Sequence, residues 1–161
     1  MVQKMVIRVA SAAVFGQQVY SARLPSASSI FSAEANAILL ALKFIASSDK
    51  SNFMICSDSL SCLLAIESCK TQHLFILKIV EIYKSLVAIG KHVIFTWIPS
   101  HIGIHGNTVV DQEAKKALDD PVSNCSIPYT DFKPLIMTYI LKPGKTVGTS
   151  KFITNCTKFI P

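Results

Sequence analysis

An α/β fold, a mixed β-sheet flanked by helices, is what the hydrophobic pattern of this chain predicts, and three observations carry the prediction. Two β-branched stretches meet at Gly16-Gln17, apolar residues recur at helical spacing after Ser32, and from residue 52 onward strand-like and helix-like segments alternate. Half of the 161 residues are apolar, enough for one domain with a real core.

In chain order, Ala10 to Phe15 and Gln18 to Leu24 read as antiparallel strands joined at Gly16-Gln17. Pro25 and the serines after it end the second strand. Ala37, Ile38, Ala41, Leu42 and Ile45 then share one helical face and predict a helix from Ala33 to Ala46. Asn52 to Cys56 reads as a short buried strand, and Ser57-Asp58-Ser59 as the start of a helix over Leu60 to Ser68 with Leu63, Leu64 and Ile66 inward. A third helix, Leu74 to Ile89, stops at Gly90, a natural residue for a left-handed helix end. Val93 to Ile98 is the next strand, closed by Pro99, and its alternation aims Trp97 toward packed neighbours. After the loop from Ser100 to Gly106, Asn107 is expected to cap a last helix reaching Leu118, which Asp119-Asp120-Pro121 stops. Periodicity fades beyond Pro121. The expected organisation is an atypical segment 1–9, a domain over 10–120, and a linker with a poorly ordered basic tail over 121–161.

A formal net charge of +6 suits a polyanionic partner such as nucleic acid. The five cysteines, Cys56, Cys62, Cys69, Cys125 and Cys156, contain no C-x-x-C pair, and no His stands at zinc-finger spacing. Reduced thiols are expected, with Cys62 and Cys69 on one helix face as core filler, and with them an intracellular setting, nucleus or cytoplasm. No uncharged apolar run approaches the ~18–20 residues of a membrane span, so no membrane partner is expected. Arg8 splits the apolar run Met1 to Phe15, which argues against a signal peptide. The sequons at Asn124 and Asn155 then carry no meaning.

Phosphodiester cleavage by a two-metal route needs carboxylates converging on ions about 3.5–4 Å apart. Glu34 opens the first helix, Asp58 follows a strand at the end where α/β sheets gather ligands, and Asp111 lies in the first turns of the last helix. Taken singly, each is explained as well by a helix cap or a first-turn acid. Their sequence context separates the readings. Trp97-Ile98-Pro99-Ser100-His101-Ile102-Gly103-Ile104-His105-Gly106-Asn107, with Asp111 four residues on, resembles the catalytic loop and last helix of ribonucleases H of type 1 carried by non-LTR (LINE-type) retrotransposon polyproteins. Ser29-Ile30-Phe31-Ser32-Ala33-Glu34, followed by Ala37-Ile38-Leu39, is similar to that family's helix bearing its second acid, and Ile55-Cys56-Ser57-Asp58-Ser59 to its third. Ile127 to Phe132 looks like the link after the domain.

The resemblance implies a ribonuclease H-like sheet and endonucleolytic hydrolysis of the RNA strand of an RNA–DNA hybrid. It also implies Mg2+ as cofactor, two ions with Mn2+ as a substitute, held by Glu34, Asp58 and Asp111. His101 matches the histidine that assists proton transfer or product release, as suits an imidazole titrating near neutral pH. His105 is expected to be a loop residue, and His73 and His92 to lie at the surface. The family's first acid has no counterpart: Glu34 is the first carboxylate in the sequence. The first, central strand is therefore expected to be missing or replaced, with metal binding and catalysis impaired. The alternative expectation is an inactive nucleic-acid-binding relic of the same domain.

Overall fold

The structure, a computed structural model, describes residues 8–100 and 102–140. Its elements follow the predicted order: β1 (Val9–Phe15), β2 (Gln18–Leu24), α1 (Ile30–Ser47), β3 (Asn52–Ser57), α2 (Leu60–Ser68), α3 (Leu74–Ala88), β4 (His92–Trp97), α4 (His105–Lys116) and α5 (Tyr129–Ile140), with a 3-10 turn over Ala117–Asp119. The fold is mixed α/β, as the pattern predicts, with helices flanking the strands.

Gly16 takes a φ of +59°, which lets two residues reverse the chain so that Phe15 pairs with Gln18 and Val9 with Leu24. β3 and β4 pair in parallel from Asn52↔His92 to Ser57↔Trp97, so their carboxyl ends lie side by side. The described strands form two separate two-stranded sheets, β1-β2 and β3-β4, where a single mixed sheet was expected.

α1 is the element that joins them. It begins three residues earlier than its apolar spacing predicts, because Ser29 caps it by accepting from the Ser32 amide at 3.1 Å. Ala35, Ile38, Leu42 and Ile45 on its inner side are almost wholly buried, and the helix packs on β1, β3 and α3. Its 18 residues reach the length and hydropathy of a membrane span, but it carries Glu34 and Lys43 and serves as the core helix. At its C-terminal end Lys91 Nζ donates to the carbonyls of Ile45 (2.8 Å) and Ser48, placing a cation where unpaired carbonyls collect. Phe15 stacks on Phe44 at 4.3 Å between ring centroids and ties the hairpin to the same helix.

Several expectations are corrected. Cys62 is buried, yet Cys69 is exposed and ends α2 with a φ of 52°. The helix stops there, so Cys69 leaves the face that Cys62 occupies. Leu64 is exposed although it was placed inward, while Cys62 is buried and Leu63 and Ile66 pack, partly buried, against the core. Asn107 does not cap α4, which starts at His105 after Ile104. His73, expected at the surface, is buried between Phe31 and Phe75. Residues 129–140, expected as linker, form α5, whose Asp131 is buried against the start of α1. The remaining tail, 141–161, and most of segment 1–9 lie outside the described residues.

Candidate active site

Parallel pairing of β3 with β4 brings two of the sequence blocks together. Asp58 follows β3 directly, and the loop leaving Trp97 starts beside it. The Asp58 turn is held from several sides. Its carbonyl accepts from the Leu60 amide at 3.1 Å and from Trp97 Nε1 at 3.3 Å, and Ser57 Oγ accepts from the Ser59 amide at 3.2 Å. Trp97 is therefore half exposed, contrary to its predicted place in the core: its ring lies at the edge of the site with its N–H turned to the Asp58 main chain. The Asp58 side chain is also supported. Asn107 Nδ2 donates to its Oδ2 at 3.3 Å, joining the first turn of α4 to the turn after β3.

Glu34, in the second turn of α1, lines the same cavity of about 430 Å³ as Asp58, with His105 and Asn107 on its α4 side. Burial first, and then the negative charges of Asp58 and Asp111, push the Glu34 carboxyl above its ordinary range. Two carboxylates from elsewhere in the fold thus act on Glu34 electrostatically. Among the described residues no three His, Cys, Asp or Glu side chains stand close enough together to hold a metal ion. The donor chemistry nevertheless fits a hard divalent cation: all three groups offer carboxylate oxygens, and a cation would relieve the repulsion that raises Glu34. His101 lies outside the described residues.

Two supporting residues escaped the sequence reading, Trp97 and Asn107. Both lie inside the block that carries the family resemblance, and only the parallel register shows why: each reaches back to Asp58 across the paired strand ends. A third feature lies away from this site. Ser32 Oγ donates to Asp131 Oδ2 at 2.5 Å and stands 3.0 Å from His73 Nε2, while Ser29 Oγ donates to Asp131 Oδ1 at 2.8 Å. Ser32 is fully buried, so this serine, histidine and aspartate form a structural network docking α5, not a nucleophile with its base.

The chain is similar to the N-terminal RNase H domain of Rv2228c from Mycobacterium tuberculosis, solved as a fusion with maltose-binding protein, at 15% identity and a TM-score of 0.43 over 70% of this chain and 92% of that one. The family model for RNase H matches residues 5–119, which contain Glu34, Asp58 and Asp111. The chain belongs to the RNase H family.

Proposed function

We propose that this chain is a retrotransposon-derived RNA–DNA hybrid endoribonuclease domain that acts with divalent metal, Mg2+ first, held by Glu34, Asp58 and Asp111. The observation that carries the reading is the joint action of Asp58 and Asp111 on a half-buried Glu34: Asp58, at the carboxyl end of β3, lines one cavity with Glu34, where a cation would be the stabilising ligand. Bound metal would supply charge neutralisation at the scissile phosphate and a water ready to attack. Asp58 and Glu34, both lining the cavity, would orient that chemistry, Asn107 and Trp97 keep the Asp58 turn in place, and His101, by resemblance, would move the proton of the attacking water or leaving group. The net charge of +6 supports a polyanionic substrate. The retrotransposon origin rests on the three sequence blocks, all inside the proposed domain over 10–120. With no carboxylate before Glu34, the metal is held by one acid fewer than in the family pattern, and cleavage is expected to be slow.

The test is cleavage of a labelled RNA–DNA hybrid by the purified chain in Mg2+, beside Asp58→Asn. RNA-strand cleavage that the substitution abolishes supports the reading. A folded chain that retains hybrid but never cleaves it would leave only the binding relic.

A further inference from the structure

We propose that Asp131 is a positioning residue for Glu34: from α5 it holds the first turn of α1, and so fixes the helix that presents Glu34 to the cavity it shares with Asp58. This role rests on the reading of Glu34 as a metal ligand and adds to it a residue outside the matched domain, since the RNase H match ends at residue 119 and α5 begins at Tyr129. The Asp131 carboxylate is buried, and three hydrogen bonds from the start of α1 reach it. The Ser29 amide donates to Oδ2 at 3.0 Å, Ser29 Oγ to Oδ1 at 2.8 Å, and Ser32 Oγ to Oδ2 at 2.5 Å. The first turn of α1 has no acid of its own. Asp131 therefore supplies, from another element, the acceptors and the negative charge that a helix N-terminus calls for. It also orients the cap. Ser29 Oγ accepts from the Ser32 amide at 3.1 Å while giving its own hydrogen to Asp131, so the carboxylate sets the direction of the lone pair that starts the helix.

The consequence for Glu34 follows from its place. With this cap α1 begins at Ile30, and Glu34 stands in the second turn and lines the cavity. Without it the helix would begin near Ala33, where the apolar spacing starts, and Glu34 would fall in a terminal turn whose unpaired amides fray. A frayed turn gives a carboxylate many positions, and a cation bound by it must first order the turn, so binding weakens. The segment that carries Asp131 also grips the approach to α1 at both ends. The Arg23 carbonyl, near the end of β2, accepts from the Ser123 amide at 2.8 Å, and Arg23 bridges to Val122. Ser29 is held by Asp131, so the link from Pro25 to Ser29 runs between two anchors on residues 122–131. Pro128 is fully buried, and its carbonyl accepts from the Asp131 amide at 3.0 Å, which shapes the turn that delivers the carboxylate. His73, just before α3, joins the same network at 3.0 Å from Ser32 Oγ.

The experiment follows backbone amides of the full chain by NMR, for hydrogen exchange without metal and for titration with Mg2+, in wild type, Asp131→Asn, Glu34→Gln and the double variant. Asp131→Asn keeps the shape and removes the charge. It is expected to speed exchange at residues 33–36 about tenfold, the scale of one lost charge-assisted hydrogen bond, with β3 and β4 unchanged. Its Mg2+ dissociation constant should rise about threefold or more, as expected when binding must order the turn. In the Glu34→Gln background the same substitution should leave Mg2+ binding unchanged, because positioning acts only through that carboxylate. A role confined to stability would lower the melting temperature in both backgrounds and leave the dissociation constant alone, which overturns the proposal. Unaltered exchange at residues 33–36 overturns it too, as does an equal loss of Mg2+ affinity with and without Glu34. If wild type binds no Mg2+, the metal reading fails, and exchange alone then decides whether Asp131 holds the turn that carries Glu34. If Asp131→Asn does not fold, Ser29→Ala, which removes the cap together with one bond to Asp131, is read in the same way.

Discussion

Asn107 Nδ2 stands 3.3 Å from Asp58 Oδ2, and this contact links the first turn of α4 to the end of β3. Asp58 therefore has a neutral donor holding one of its oxygens. Hydrogen bonds to charged groups are worth about 1.5–3 kcal/mol, and at this length the lower end applies. Asn107→Ala is expected to lower hybrid cleavage about tenfold, the rate equivalent of roughly 1.4 kcal/mol. Because Asn107 does not cap α4, the melting temperature should move little. Asn107→Asp, which sets a second charge against Asp58, should be worse than alanine. Steady-state cleavage of one hybrid by the three proteins checks the order.

Glu34 illustrates a conflict between site and fold. Its carboxyl titrates above its usual value of 4.5, for burial and because of Asp58 and Asp111. A group raised on folding contributes stability below its unfolded pKa and loses that contribution as pH rises through the folded value. At neutral pH ionised Glu34 is thus a cost to the metal-free fold. Glu34→Gln should melt higher than wild type at pH 7, by about 4 °C for each kcal/mol relieved, and the gap should close as pH approaches 4.5. The same variant should cleave nothing. Equal melting temperatures at pH 7 would show that the repulsion is not felt.

The element order was legible in the sequence because it rests on local signals: helical spacing after Ser32, alternation before Pro99, a glycine at residues 16 and 90. What was not legible depends on partners distant in sequence. His73 looks like a polar residue before a helix, and nothing local says that Ser32, 41 residues away, will bond it in the interior. Asn107 looks like a helix cap by type and place, and its amide is instead drawn across 49 residues to Asp58. Hydrophobic pattern alone likewise does not reveal that the described strands form two separate pairs, both packed on α1.

Metal should report on the acids independently of turnover. A ligand that binds only the folded state stabilises it by about 1.4 kcal/mol at ten times its dissociation constant. Mg2+ in the millimolar range is expected to raise the wild-type melting temperature by several degrees, and to do so less in Asp58→Asn and Asp111→Asn. In Glu34→Gln, already relieved of repulsion, the rise should be smallest. A rise of the same size in all four proteins would assign the ion to some other place on the chain.

The last expectation concerns His73, whose surroundings fix its protonation. Ser32 Oγ gives its hydrogen to Asp131, so the 3.0 Å contact with His73 must use a proton on Nε2. That leaves Nδ1 as a bare lone pair, and it is buried without a hydrogen-bond partner. Adding a proton there would place a charge in the interior with nothing to receive it. Burial accordingly lowers the His73 pKa from its usual 6.5, and the Asp131 charge only partly opposes the shift. The unfolded chain therefore takes up this proton before the folded one does, and stability present above pH 6.5 is lost as pH falls toward the folded value. The loss can be no steeper than about 1.4 kcal/mol per pH unit. Between pH 6.5 and 5 the melting temperature of wild type should fall faster than that of His73→Gln, whose side-chain amide can still donate to Ser32 but takes up no proton. Because Asp131 holds α5 to the start of α1, hydrogen exchange in residues 129–140 should rise over the same interval in wild type alone. Parallel slopes for the two proteins would mean that other groups govern the acid response.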